Sequence, residues 1–413
     1  MRAGGTVIDS SAREVGQVRD GAMAAVTYYI GSRIGGGGIG DVAAQAVRGL
    51  LEHGLLRRLL VLDGEISGAT DITARFPARL VRNRVADRFL PDSWRDALFD
   101  LWAARHLEDC DIFYGWACHS LCSLRRARRG GAVTLIDRGS AEARTQQRVL
   151  AEEFRSHGLG DGPMSEAVVR RMLEEYEETD CIAVPSTFVY ETFRAAGYAE
   201  DRLFINPLGV DTDRFRPAPT GRRDGRFKVI FVGQVSLQKG VVYLLRAWRQ
   251  LNLPDAELIL VGPVERAAVG IIQEELRRMR PGSARLPGPT ATPESFLAGA
   301  SVLVLPSVQD GFGLVVLEAM ACGVPVIVSE SVGAKDCVRE GVEGFVVPVR
   351  DVEALADRLL LLRDHPGQRD AMGRQARDRA RGYSWEAYRS RLAERIQALS
   401  DQHAAPRAVA AAR

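Results

Sequence analysis

Short apolar runs bounded by glycine or polar residues alternate along this chain with longer stretches whose apolar positions recur at helical spacing. AVTYYIGS (25–32), LRRLLVLDGE (56–65), CDIFYGW (110–116), AVTLIDRGS (132–140) and CIAVPST (181–187) are the runs of the first half. They are too short for buried helices and nearly continuous in apolar residues, the pattern of strands covered on both faces. DVAAQAVRGLLEHG (41–54) has helical spacing and a closing glycine, and 87–107 and 165–179 are further helical stretches. Strand alternating with helix predicts a parallel sheet with helices on both sides.

The pattern restarts after NPLGVDTDRFRPAPTGRRDG (206–225), whose proline, glycine and charge content predicts a linker. FKVIFVGQ, AELILVGP, SVLVLPS, VPVIVSE and GFVVPV then predict five more strands, with amphipathic helices at 351–363 and 385–399. The expected fold class is α/β, two doubly wound, Rossmann-like parallel-sheet domains facing across a cleft. Ligands of such sheets sit at the carboxyl ends of the strands. The expected boundaries are a flexible leader at 1–22, an N-terminal Rossmann-like domain at 23–208 and a C-terminal Rossmann-like domain at 209–385. A terminal helix at 386–413 is expected to pack back on the N-terminal domain and to fray at its end.

Length agrees with two domains, since 413 residues exceed what one core supports. A net charge of +2 carries no polyanion-binding signature, so nucleic acid is not expected as a partner. The six cysteines include no CxxC pair; Cys118 and Cys122 flank His119, but no second pair completes a zinc site, and buried free thiols are expected. No apolar run reaches 18 residues and the N-terminus has no signal-peptide core, which points to a cytoplasmic protein. Only three of the 55 basic residues are lysines (Lys228, Lys239, Lys335). That bias follows codon composition, yet it draws attention to each lysine.

Three stretches carry chemistry. Gly35–Gly40 fits GxGxxG between a strand and a helix, with Asp63 ending the next strand where a ribose-binding acid would sit. Glycine lets backbone amides approach a phosphate, and a turn without a ligand would read the same way. In VGQVSLQKG (232–240), Lys239 opens a helix where its ammonium can meet a phosphate, or stand solvated. The strongest is QDGFGLVVLEAMACG (309–323), in which a glycine turn aims the amides of Gly311 to Leu314 at an anion. Glu318, one turn into the helix, repels a phosphate but suits the two hydroxyls of a ribose, and Asp310 suits a second polyol. The alternative is an acidic helix cap at Asp310 and a surface glutamate at Glu318.

Gly233–Lys239–Gly240, followed by Asp310–Gly311–Phe312–Gly313–Leu314–Glu318–Ala319–Met320–Ala321–Gly323–Pro325–Val326, resembles the retaining GT-B glycosyltransferases of the GT4, or glycosyl transferases group 1, family. NPLGVDTDRF resembles their interdomain linker. DRGSAEARTQQRVLAEEFRSHG (137–158) resembles a segment of bacterial members that build surface polysaccharides. The resemblance implies a GT-B fold and a nucleotide-diphosphate sugar as co-substrate. It also implies a saccharide or lipid-linked acceptor, and no metal or other required cofactor. It places Lys239, Asp310 and Glu318 in catalysis and Gly37, Gly38, Gly233, Gln234, Gly311, Phe312, Gly313, Leu314 and Val315 at the donor. Arg138, Ser140 and Glu142 fall on the acceptor side. Three positions depart from the family pattern: Asp310 replaces a glutamate, Gln234 an arginine and Glu142 a histidine.

Two other readings stay open on sequence, an NAD(P)-dependent oxidoreductase using the Gly35–Gly40 loop and a degenerate, non-catalytic assembly partner. Arg125, Arg126, Arg128 and Arg129 form either a solvated helix face or a peripheral contact with anionic lipid at the inner face of the membrane.

Overall fold

In the computed structural model, the residues described are 23–77, 92–218 and 225–411. The expected leader lies outside them, as do 87–91 of the first long helical stretch and 219–224 of the linker. Val26–Arg33 (β1), Leu56–Asp63 (β2), Thr73–Arg75 (β3), Ile112–Trp116 (β4), Val133–Asp137 (β5), Cys181–Val184 (β6) and Leu203–Ile205 (β7) form one sheet in the order β3-β2-β1-β4-β5-β6-β7. Every described pairing in it is parallel, with Tyr28 beside Leu59 and Tyr114. The central strands β4, β5 and β6 are buried at every position, as continuous apolar runs require.

Phe227–Val232 (β8), Ala256–Val261 (β9), Ala284–Gly288 (β10), Val302–Leu305 (β11), Val326–Ser329 (β12) and Gly344–Val347 (β13) form the second sheet, β10-β9-β8-β11-β12-β13, also parallel. Five strands were expected here and six are described. The sixth, β10, reads ARLPG and is only half covered at the sheet edge, so it lacks the apolar run that marks its neighbours. In both sheets the strand order reverses beside the first strand of the domain. The two reversal points face each other, and the clefts beside them are where such sheets take ligands.

The terminal helix, Trp385–Ala411, packs on the N-terminal domain, where Arg389 reaches Glu52 (2.7 Å) and Gln45 (2.8 Å) on the helix Ile39–Glu52. The chain between the domains is pinned to its start, with Val210 N donating to Tyr383 O at 2.9 Å. The domains also meet directly. Glu153, wholly buried on the helix Ala143–Ser156, accepts from Tyr243 Oη (2.8 Å) and Arg350 Nε (2.7 Å) of the C-terminal domain. Thr187 donates twice to the Asp336 carboxylate, from its amide at 2.8 Å and its hydroxyl at 2.6 Å.

Candidate active site

A cavity of about 270 Å3 lies where the two sheets face each other. Its C-terminal wall holds Lys239, Asp310, Phe312, Gly313 and Leu314; its N-terminal wall holds Gly38, Ile39, Trp116, Asp137, Arg138 and Asn206, with Tyr388 from the terminal helix.

The turn after β11 is built by the connection that follows β12. Asp310 N donates to Ser331 O (3.0 Å), Gly333 N to Asp310 O (3.0 Å) and Ala334 N to Phe312 O (2.7 Å). The helix Leu314–Ala321 opens at Gly313, a left-handed residue (φ 86°), and no side chain caps it. Asp310 is therefore not a helix cap. Its carboxylate instead accepts from Lys239 Nζ at 2.5 Å. Lys239 is brought there by Gly240, whose left-handed backbone (φ 66°) starts the helix Val241–Leu251 so close to β11 that a Cβ would lie 2.0 Å from Pro306 O.

Gly311 has a different role from its neighbours. A Cβ on it would stand 2.0 Å from Gly139 O, and its own carbonyl accepts from Ser186 Oγ at 2.7 Å. The turn after β11 thus rests against the end of β5 and the start of the helix Thr187–Ala195. Ser140 joins this contact through Gln309, at 3.0 Å, and does not line the cavity.

Glu318 is half-buried on the helix Leu314–Ala321, outside the cavity wall. Among the described residues no hydrogen bond reaches its carboxyl, and burial, with Asp41 and Glu294 adding to it and Arg214 opposing, pushes its pKa up to about 7. An acid held there without a partner is available to hydroxyl groups.

Glu142 does not reach the cavity. It caps the helix Ala143–Ser156, accepting from Arg144 N and Thr145 N at 2.9 Å each, and is only 2% exposed. An acid fits there because a helix N-terminus presents free amides and positive potential. Arg138 lines the cavity but turns its guanidinium inward, donating to Ala141 O at 3.0 and 2.8 Å and to Gln146. Gly37 lies in the exposed loop beside Gly38, with left-handed φ of 90° and 54° at the two positions. Gly233, exposed Gln234 and Val315 lie outside the cavity wall; Gly233 O fills the space that a Cβ on Gly262 would need.

Sequence reading missed Trp116, Asp137, Asn206 and Tyr388 as cavity residues. Asp137 carried a usable signal, an acid closing an apolar strand at its carboxyl end. Tyr388 carried none, because it arrives from a helix far along the chain.

The arginine-rich helix Leu121–Arg129 is engaged with the helix Glu166–Glu178: Arg125 pairs with Glu174 (2.9 Å) and Glu178 (2.6 Å), and Arg128 donates to Glu178 O (2.7 Å). Among the described residues, one group of possible metal ligands (Asp96, Cys118 and His119) brings its ligating atoms within 4.8 Å of one another. It lies off the cavity wall, and burial with the charges of Glu175 and Asp96 pushes the Cys118 thiol up to about 11. No described helix is long and apolar enough to cross a membrane.

Residues 226–365 match the family model described as Glycosyl transferases group 1. A D-inositol 3-phosphate glycosyltransferase of Kribbella flavida is 32% identical over 293 residues, 63% of this chain and 64% of that protein. The chain therefore spans somewhat less than two thirds of that relative's length. A GDP-mannose-dependent monoacylated alpha-(1-6)-phosphatidylinositol monomannoside mannosyltransferase of Corynebacterium glutamicum is 30% identical over 312 residues, 68% of this chain and 79% of that protein. Among solved structures, Anabaena HepE in complex with UDP superposes with a TM-score of 0.67 over 91% of this chain and all of that one, at 16% identity. The fold is GT-B.

Proposed function

The chain belongs to the glycosyl transferases group 1 family, and from that premise we propose that it moves a sugar from a nucleotide-diphosphate sugar to a hydroxyl of a saccharide or lipid-linked acceptor. The transfer retains anomeric configuration and serves the assembly of a bacterial surface polysaccharide or glycoconjugate. The observation that carries this reading is the Lys239–Asp310 pair at the mouth of an uncapped glycine-opened helix, facing a glycine loop across one cavity.

The donor diphosphate sits on the amides that follow Gly313, where the helix start favours negative charge. Lys239 turns from Asp310 to the diphosphate as the glycosidic bond breaks, meeting charge that grows in the transition state. Asp310 then accepts from hydroxyls of the donor sugar, and Glu318 from those of the ribose. The bond from the anomeric carbon to the phosphate oxygen breaks and a bond to the acceptor oxygen forms on the same face. The acceptor proton passes to the leaving diphosphate. Positive charge comes from the protein's own ammonium and amides, and the proposal calls on no metal or further cofactor.

The names of relatives point to the first donors to try, and to polyol acceptors. Incubation of the chain with GDP-mannose or UDP-glucose, with and without myo-inositol or methyl α-mannoside, should release GDP or UDP faster when acceptor is present. Absence of nucleotide release from every common nucleotide-sugar would sink the proposal.

A further inference from the structure

Asp137 closes β5 in the cavity wall at 9% exposure and is held from below by Tyr114, whose hydroxyl donates to Oδ2 at 2.6 Å. Tyr114 is itself fixed, edge-on to Tyr28 with ring centroids 4.9 Å apart, while Tyr28 Oη accepts from Trp116 Nε1 at 2.8 Å. Among the described residues Oδ1 has no hydrogen-bond partner, yet it is not among the sealed, unsatisfied atoms. It is open to the cavity. No described cation pairs with this carboxyl: the neighbouring Arg138 is engaged with Ala141 and Gln146, and Lys239 with Asp310.

A carboxyl oxygen presented beside aromatic walls, here Trp116 and Tyr388, suits a ring that offers hydroxyls at its rim and C–H groups on its face. It suits a phosphate badly, since like charges would meet at a buried position with no cation between them. The opposite wall already holds the groups that take the diphosphate.

We propose that Asp137 binds the acceptor, its Oδ1 accepting from a hydroxyl of a neutral polyol or saccharide ring seated against Trp116 and Tyr388. This assignment rests on the glycosyl-transfer reading for the identity of the ring as acceptor, though not for its binding. Tyr114 is a positioning residue that fixes the carboxyl without touching the ring.

The groups facing the carboxyl are Tyr28 from β1, Tyr114 from β4 and Tyr388 from the terminal helix, while Arg138, next in sequence, turns its guanidinium to Ala141 and Gln146. Burial pushes Asp137 up to about 7, with the Tyr114 hydrogen bond holding it lower than burial alone would. Ring binding through the carboxylate therefore strengthens as pH rises through about 7. Tyr114→Phe removes the stabilising donor and moves that rise to higher pH.

The test is saturation-transfer NMR of myo-inositol and methyl α-mannoside on the full chain with UDP or GDP present, repeated for Asp137→Asn and Tyr114→Phe. Isosteric Asp137→Asn should weaken ring binding about tenfold or more, the scale of a lost charged hydrogen bond. It should leave UDP and GDP affinity within about twofold, because the donor groups are untouched. Tyr114→Phe should shift the pH midpoint upward. Absence of ring binding by the unaltered chain, unchanged ring binding in Asp137→Asn, or an equal loss of nucleotide affinity would each overturn the assignment. Ring binding that depends on Asp137 in a chain that turns over no nucleotide-sugar would keep the site and remove the transfer reading instead.

Discussion

Lys239 Nζ lies 2.5 Å from Asp310 Oδ2, so the cation and the acid expected on different parts of the donor hold each other across the start of two helices. Their side chains are 24% and 11% exposed, which leaves the pair reachable from the cavity while shielding it from bulk screening. Each group is thus preset near the place where donor charge and donor hydroxyls would arrive. Lys239→Ala should slow single-turnover transfer at saturating donor by about two to three powers of ten, the scale of a removed transition-state donor. Asp310→Asn should cost less in the chemical step. The double variant should be little slower than Lys239→Ala alone, because residues acting as a unit are non-additive. Fully additive losses would show that the pair does not work as one unit.

Glu318 supplies two pH dependences of known sign. Its pKa in the folded chain is about 7 against an ordinary 4.5, so the folded chain holds the proton more readily than the unfolded chain. Its contribution to stability is present below about 4.5 and is lost as pH rises through about 7. Glu318→Gln should therefore raise the melting temperature at pH 8 and change it little at pH 4.5. UDP or GDP binding should move the opposite way, strengthening as the carboxylate forms. Glu318→Gln should flatten that rise and weaken binding about tenfold or more at pH 8, as loss of a charged hydrogen bond does. Calorimetry across pH checks both, and unaltered nucleotide affinity would take Glu318 out of the site.

A methyl group at Gly311, fixed to its own backbone, would meet the backbone oxygen of Gly139 at 2.0 Å, so the contact yields only with a shift of the chain on one side. Gly311→Ala should open the cleft and cut transfer by at least about tenfold, since small misplacements of a site are costly. Gly270→Ala, on the helix Val269–Arg277 with nothing within 4 Å, is the matched control. It should be neutral or stabilise by up to about 1 kcal/mol. Small-angle scattering reports the opening, and an unchanged profile in an active Gly311→Ala chain would contradict the contact.

Glu153 carries another direct link between the domains. Arg350→Ala leaves a wholly buried carboxylate with Tyr243 and His157 as its remaining partners, so urea unfolding should show a loss of about 1–3 kcal/mol. Tyr243→Phe should cost about 1.5–3 kcal/mol, since its hydroxyl also donates to the carboxylate. Equal stability of all three chains would mean that the domain contact is held elsewhere.

The strands read most plainly from sequence were those buried on both faces, because continuous apolar runs such as CIAVPST admit few other structures. The edge strand β10 escaped, since ARLPG has a charge, a proline and no run. The glycine turn after β11 was legible because it is local: QDGFG and the helix after it occupy one stretch. What escaped was made by distant parts meeting, as when Tyr388 enters the cavity from the terminal helix or Asp310 turns to Lys239 instead of capping a helix. Glu142 misled for a related reason. Its segment resembles an acceptor-side stretch, but two free amides two and three residues ahead settle where an acid at that position points.

A nucleotide-sugar seated between Lys239 and the turn 310–314 would show in hydrogen exchange of the full chain with and without UDP or GDP. Exchange should slow in 233–240 and 310–318, together with 206–217 where the chain passes between the domains. Slowing confined to 25–64, produced by NADH and by neither nucleoside diphosphate, would contradict it and return the Gly35–Gly40 loop to a dinucleotide.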